Sequence, residues 1–237
     1  MSRNDDILEL AKKNRLTRTD KFNFACKQCG NCCKNREDIL LNPFDLNRLA
    51  HALKMPQQEV VQKYCSVYIG EASRLPCVCI KPIGKDKICP FLKNDGRHCF
   101  VHKEKPTVCA LFPLGRGIAL DEGKSVFYIL QDVKCGLRNE KHTPEEWLNE
   151  FNLHESEEWF VEWSEFVGKV MPMIQKLEKQ CPKGIINGFY NVILIELYFK
   201  YEQNYDAEYF EYPSFIAQFR RASTKFIGFL SSFATGV

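Results

Sequence analysis

The sequence holds no long hydrophobic run. Its longest apolar stretch, FYNVILIELYF, has eleven residues and contains Glu196. A membrane-spanning helix needs about 20 apolar residues, so no membrane span is expected. Charge of one sign is equally scarce. The 33 Lys and Arg residues stand against 30 Asp and Glu, a formal net charge of +3. That bias is too weak to predict a nucleic-acid-binding surface. The opening stretch MSRNDDILEL is polar and acidic, which does not read as a secretory signal. A reducing cytoplasm is therefore the expected location. Internal repeats and low-complexity tracts are missing. So is a strand–GxGxG–helix stretch of the Rossmann kind, because Gly115 and Gly117 sit in GRG ahead of a strand. No spacing argues for a Ser-His-Asp or Cys-His catalytic arrangement.

What the chain has in quantity is cysteine. Of its 12 cysteines, eleven lie between Cys26 and Cys135, and Cys181 alone lies beyond. In a reducing compartment such thiols serve as metal ligands more often than as disulfides. Cysteine density falls near RNEKHTPEE, which predicts a cysteine-cluster domain over residues 1–142 and a helical region over 143–237.

The local patterns support that division. Residues 4–14 read as a short helix. In NPFDLNRLAHALK, Asn42 caps a helix, Pro43 suits its first position and Asp45 suits the positive end of its dipole. Leu46, Leu49, Ala50 and Leu53 line one face. A second helix is expected from Pro56, with Val60, Val61, Tyr64 and Cys65 on its apolar side. Five prolines and two glycines then punctuate residues 75–114, so regular helix is not expected there. GIALDEGKSVFYIL reads as a hairpin with an Asp-Glu-Gly turn.

Beyond residue 142 the pattern is helical. Thr143-Pro144-Glu145-Glu146 carries a capping box. Ser156 can cap a helix striped by Trp159, Phe160, Trp163, Phe166, Val167 and Val170, which Pro172 should kink or end. Further helices are expected over about 188–202 and after Pro213. The last carries Phe215, Ile216, Phe219, Phe226, Leu230 and Phe233 on one side.

The first cysteine cluster, CKQCGNCC, has the spacing C-x2-C-x2-C-C. A C-x2-C pair lets two thiolates converge on one ion through a tight turn, and Gly30 suits such a turn because positive φ costs it nothing. Its amide is also a candidate donor to sulfur. Cys32 and Cys33 are adjacent, so their side chains are expected to diverge, which hints at two metals. Cys89, Cys99, Cys109 and Cys135 arrive at spacings that do not return to one helix face and must converge through loops. The expected ligand set is Cys26, Cys29, Cys32, Cys33, Cys89, Cys99, Cys109 and Cys135.

Zinc and iron remain open. Eight thiolates suit two tetrahedral Zn²⁺ ions. Cys26, Cys29 and Cys32 also match a ferredoxin-like run, and Cys89 is followed by Pro, although Cys33 interrupts the ferredoxin continuation. Two Zn²⁺ with eight thiolates would carry about −4. Lys27, Lys34, Arg36, Lys103, Lys105, Arg116 and Lys134 are candidates to offset it, Arg116 first among them. Cys65, Cys77, Cys79 and Cys181 read as packing thiols, with Cys77 and Cys79 on one face of a strand. His98 and His102 flank Cys99 and are expected to support the ligands rather than bind the ion.

CKQCGNCC, NPFDLNRLA, CPFL, HCFVHKEKPTVCALFPLGR and Cys135 together resemble the YkgJ-like cysteine-cluster family over roughly residues 22–140. The resemblance implies chelation of zinc or iron. The cysteine region is also similar to that of flagellin lysine N-methylases, which implies lysine methylation of a protein substrate with S-adenosylmethionine as a further possibility. The expected fold is α+β and mostly α: a loop-rich, metal-stapled domain with a small β-hairpin, then helices. The expected function is structural or sensing metal binding. The alternatives are a protein lysine N-methyltransferase and an iron–sulfur electron-transfer protein.

Overall fold

A computed structural model of the chain describes residues 14–119 and 125–235, without the side chains of 233–235. The expected helix at 4–14, the Asp-Glu-Gly turn and the Phe233 side chain therefore lie outside the described residues, apart from residue 14. The fold is α+β and mostly α, with 46% helix and small sheets.

The first described elements are β1 (Arg15–Leu16), β2 (Phe22–Ala25), β3 (Leu40–Leu41), α1 (Pro43–Leu53) and α2 (Gln57–Tyr64). Next come β4 (Cys65–Ile69), β5 (Pro76–Ile80), α3 (Thr107–Leu111), β6 (Leu114–Ala119), β7 (Ser125–Leu130) and β8 (Leu137–His142). The last are α4 (Pro144–Asn149), α5 (Ser156–Gln180), α6 (Lys183–Leu194) and α7 (Tyr212–Thr235). They form two compact units, each built from two stretches of chain. Unit 1 takes residues up to Lys34 and Phe91–Glu157, and unit 2 takes Asn35–Pro90 and the residues from Glu158 on.

Unit 1 contains two antiparallel sheets. The expected hairpin is present as β6 and β7, and β1 adds to the outer side of β7. Alternation in SVFYIL buries Tyr128 completely, and its hydroxyl donates to the Glu157 carboxylate. The second sheet pairs β2 with β8, from Phe22↔His142 to Ala25↔Leu137. A single-strand pattern did not reveal this pairing, because β8, LRNEKH, is polar and mostly exposed. The capping box of α4 forms as expected: Glu146 N–H donates to Thr143 Oγ1, and the Glu146 carboxylate accepts from Thr143 N–H. It sets Trp147 and Leu148 into the core. Trp147 meets Phe22, Phe24 and Phe151 edge-on at centroid distances of 5.7–6.1 Å. Its indole N–H donates to the Ala110 carbonyl of α3 at 2.9 Å.

Unit 2 packs the remaining helices with the three-stranded sheet β3–β5–β4. Asn42 caps α1 by accepting the Asp45 amide, and Pro43 begins it. Leu46, Leu49 and Ala50 are fully buried. The helix α2 ends at Tyr64, so Cys65 is not on a helix face but opens strand β4, paired with Ile80. Within the stretch where helix was not expected, residues 76–80 form the central strand of their sheet, with Cys77 and Cys79 in its ladder.

Pro172 does not end α5, which runs unbroken to Gln180. Val170, Ile174 and Leu177 are buried on either side of it, and this continuous apolar stripe outweighs the one lost backbone hydrogen bond. The expected helix at 188–202 lies earlier, as α6, and continues into a π-helical turn at Ile195–Phe199. Phe215, Ile216, Phe219, Phe226 and Leu230 of α7 are buried, so that face packs within the unit. No helix among the described residues is long and apolar enough to cross a membrane.

Trp159 anchors unit 2. It is completely buried, stacks with Trp163, meets Phe219 edge-on at 4.7 Å, and donates its indole N–H to Asn42 Oδ1 at 3.1 Å. Trp159→Ala should destabilise the protein by about 3–5 kcal/mol, read as a lower denaturant midpoint.

Candidate metal centre

Seven of the eight expected ligands, Cys26, Cys29, Cys32, Cys33, Cys99, Cys109 and Cys135, lie in unit 1, and Cys89 lies in unit 2. The sheet β2–β8 explains how the ends of the set meet. Cys26 directly follows β2, and Cys135 stands two residues before β8. Their strands are joined at Ala25↔Leu137. Gly136 makes the entry to β8 with φ of 76°, its Cα against the Phe24 ring, where a Cβ would fall 2.3 Å from a ring carbon.

CKQCGNCC folds into a short 3₁₀ turn over Asn31–Cys33. Gly30 precedes it in the left-handed region, and its carbonyl accepts from Cys33 N–H at 3.0 Å. A Cβ on Gly30 would sit 2.4 Å from the Gly96 carbonyl oxygen. Gly30 is thus doubly required, for its φ and for the close approach of the loop that carries Cys99. The amide that meets a sulfur is not that of Gly30: Gln28 N–H donates to Cys26 Sγ at 3.4 Å.

The turn also overturns one expectation. Adjacent side chains were expected to diverge, yet Cys32 Sγ and Cys33 Sγ stand 3.9 Å apart. The tight 3₁₀ rotation brings them to the same side.

Cys109 rides on α3, which the Trp147 indole holds through Ala110. Cys99 is placed by its bridge to Leu92. Ahead of it, the Asp95 carboxylate accepts from the Arg97 and His98 amides and from the His98 ring. Those bonds, the His98 amide first, hold the Asp95 carboxyl well below the usual carboxylate range. His98 is thereby engaged, and His102 lies against Phe151 at 5.6 Å.

The thiols feel one another. The hydrogen bond with Cys33, then burial, pushes the Cys32 thiol up. Burial pushes the Cys109 thiol up, with Cys33, Cys32 and Cys99 adding to the shift. Burial also raises Cys99, with Cys32 adding to it. Cys135 is raised by burial and by Cys29, Cys32 and Cys26. These groups therefore lie within charge–charge reach of each other. Among the described residues, no three Cys, His, Asp or Glu side chains converge closely enough to hold an ion as they stand. The Cys32–Cys33 pair is the part of the set already at ligand spacing.

Lys105 acts on several thiols of this cluster, and Lys93 on Cys99. Lys105 opposes the upward shifts of Cys32, Cys99 and Cys109, and its ammonium is held over the Phe151 ring at 4.0 Å. Arg116, the first choice from sequence, instead donates to the Ser156 carbonyl and hydroxyl. The sequence signal for Lys105 is its place four residues before Cys109, at the entrance to α3. Cys26 and Cys32 are exposed, so an ion can reach the cluster from solvent.

The other cysteines lie in unit 2. Burial pushes Cys65 up to about 12. Cys79 is buried, and its thiol donates to the Glu37 carbonyl at 3.2 Å. Reactive thiols need lowered pKa values, so neither has the character of a reactive group.

Unit 1 is thus a thiol-rich, loop-built module held by small sheets and one aromatic core. Residues 25–146, just over half of the chain, match the CxxCxxCC family, described as a "Putative zinc- or iron-chelating domain", and the chain belongs to that family. It is 27% identical over 115 residues to the uncharacterized protein MJ0661 of Methanocaldococcus jannaschii, a match covering 45% of this chain and 58% of the relative. The chain thus spans a little over half the length of that relative. No solved structure matches.

Two substitutions test the arrangement. Gly30→Ala should cost about 1–3 kcal/mol of stability from its backbone conformation, and should lower the metal content of purified protein. Lys105→Met should weaken metal binding about tenfold, the lower end of what neighbours of metal ligands contribute, with Lys105→Arg close to wild type in a chelator competition titration.

Proposed function

We propose that unit 1 chelates zinc through the thiolates of Cys26, Cys29, Cys32, Cys33, Cys99, Cys109 and Cys135, in a structural or sensing role. The donor set fits such an ion: every candidate is a thiol, and Zn²⁺ takes thiolates in closed tetrahedral sites. The observation that carries the reading is the Cys32–Cys33 spacing of 3.9 Å. Two thiolates on one tetrahedral ion with bonds of about 2.3 Å are about 3.8 Å apart. The spacing speaks against a [4Fe–4S] cluster, whose four cysteines serve four irons. It suits a single tetrahedral iron or a [2Fe–2S] centre as well as zinc, and the metal content of the purified protein separates these. Cys89 stays an expectation from the sequence and is not part of this set.

Bound zinc would keep its thiolates ionised. The chain's own part is positioning. Gly30 brings two cysteine loops together, Gln28 donates to Cys26 sulfur, Trp147 holds the Cys109 helix, and Lys105 offsets negative charge. Residues 90–113 contain only short elements, a bridge between Leu92 and Cys99 and the five-residue α3, so metal binding would contribute folding energy there.

Elemental analysis of protein purified without oxygen tests the metal. Zinc in a colourless protein is expected, and iron with visible absorption would overturn the reading. Removal of the ion should then raise hydrogen exchange across residues 26–33 and 91–112. Unchanged protection there would rule out the structural role.

A further inference from the structure

We infer that unit 2 carries a small-molecule site between α6 and α7, and that its ligand is a carboxylate borne on a single aromatic ring or a short apolar chain. The site lies wholly within unit 2 and stands apart from the zinc reading. A cavity of about 180 Å³ opens there, lined by Val192, Glu196, Ala222, Lys225, Phe226 and Phe229.

The sequences of the two helices account for the space. On α7, Ala222, Lys225, Phe226 and Phe229 follow the i, i+3, i+4, i+7 spacing of one helix face. On the other wall, Glu196 stands one turn after Val192. It belongs to the π-helical turn Ile195–Phe199, and such turns recur at functional sites. Ala222 is the smallest of the six lining residues, and a larger side chain there would take up the space. The apolar arc of α6 is also wider than its packing uses. Ile186 and Ile193 are buried, while Val192 beside them is 41% exposed. Phe229 is 41% exposed as well, with its ring stacked on Phe189 at a centroid distance of 5.4 Å.

The lining specifies the ligand. A dry, apolar cavity of about 150 Å³ holds benzene, so this one admits one aromatic ring with a short acid arm. Phe226 is buried and Phe229 is open, and a second ring gains by stacking or edge-on contact with such partners. The two charged residues differ in what they already hold. The Glu196 carboxylate accepts from the Lys200 ammonium, one turn further on. Lys225 makes no hydrogen bond or ion pair among the described residues. The uncompensated charge of the site is therefore positive, and it selects a carboxylate over a neutral amide or an amine.

Phenylacetate is the probe, titrated into the full chain with isotope-labelled methyl groups and followed by NMR. The methyl signals of Val192 and Ala222 should shift saturably. Phenylacetamide keeps the ring and loses the charge, and it should bind about fivefold more weakly, the range of a partly exposed ion pair. Phenethylamine should bind more weakly still. Lys225→Met should remove the preference for phenylacetate over phenylacetamide, and Ala222→Leu should abolish binding of both. The Lys225→Met comparison decides alone if Ala222→Leu fails to fold. Four outcomes would each overturn the inference: no saturable shift with millimolar phenylacetate, equal binding of phenylacetamide, tighter binding of phenethylamine, or full binding by a folded Ala222→Leu variant. All of them leave zinc chelation by unit 1 untouched.

Discussion

Unit 1 depends on the pairing of β2 with β8. The two strands come from the opposite ends of the cysteine-rich stretch, and antiparallel hydrogen bonds from Phe22↔His142 to Ala25↔Leu137 lock them together. The buried faces of Phe22 and Phe24 then meet Trp147. That one indole also holds α3, and with it Cys109. A short ladder and a small aromatic core therefore place Cys26, Cys135 and Cys109 around one region, although the loops that carry them have little regular structure. The energy is modest, as expected for a ladder of few residues, which is why a metal has something to add.

The same geometry sets a cost. Thiols crowded together resist ionisation, because burial penalises the charged form and each new charge repels the next. The upward shifts of Cys32, Cys99, Cys109 and Cys135 are that cost. Lys105 offsets part of it from a position fixed by the Phe151 ring. A divalent cation offsets far more, since a coordinated thiol gives up its proton outright. Thiols raised in this way are poor free nucleophiles.

Unit 2 solves its folding problem differently. Trp159, Phe166, Phe215, Phe219 and Phe226 are buried together, and edge-on and tilted ring pairs connect them. Several of its polar groups pair across distant stretches of the chain. Asn42 caps α1 and also accepts from Trp159, and Gln57 donates to Asn47 and to the Tyr201 carbonyl. Arg74 and Tyr190 both donate to the Glu178 carboxylate. Of the cysteines read as packing thiols, Cys79 is buried, while Cys65, Cys77 and Cys181 are half-buried.

By itself the sequence determined what local chemistry can determine. The CxxCxxCC run, the caps at Asn42 and Thr143, the β6–β7 hairpin and the aromatic stripe of α5 all depend on residues a few positions apart, and all could be read directly. So could the family and its chelating chemistry, because motif spacing is local too. The tertiary structure decided the rest. It paired the polar strand β8 with β2, carried α5 through Pro172, and turned Cys32 and Cys33 to the same side. It chose Lys105 over Arg116 as the cation beside the thiols. Each of these outcomes rests on partners distant in sequence or on a balance of burial against backbone bonding. A reading of neighbours along the chain contains neither.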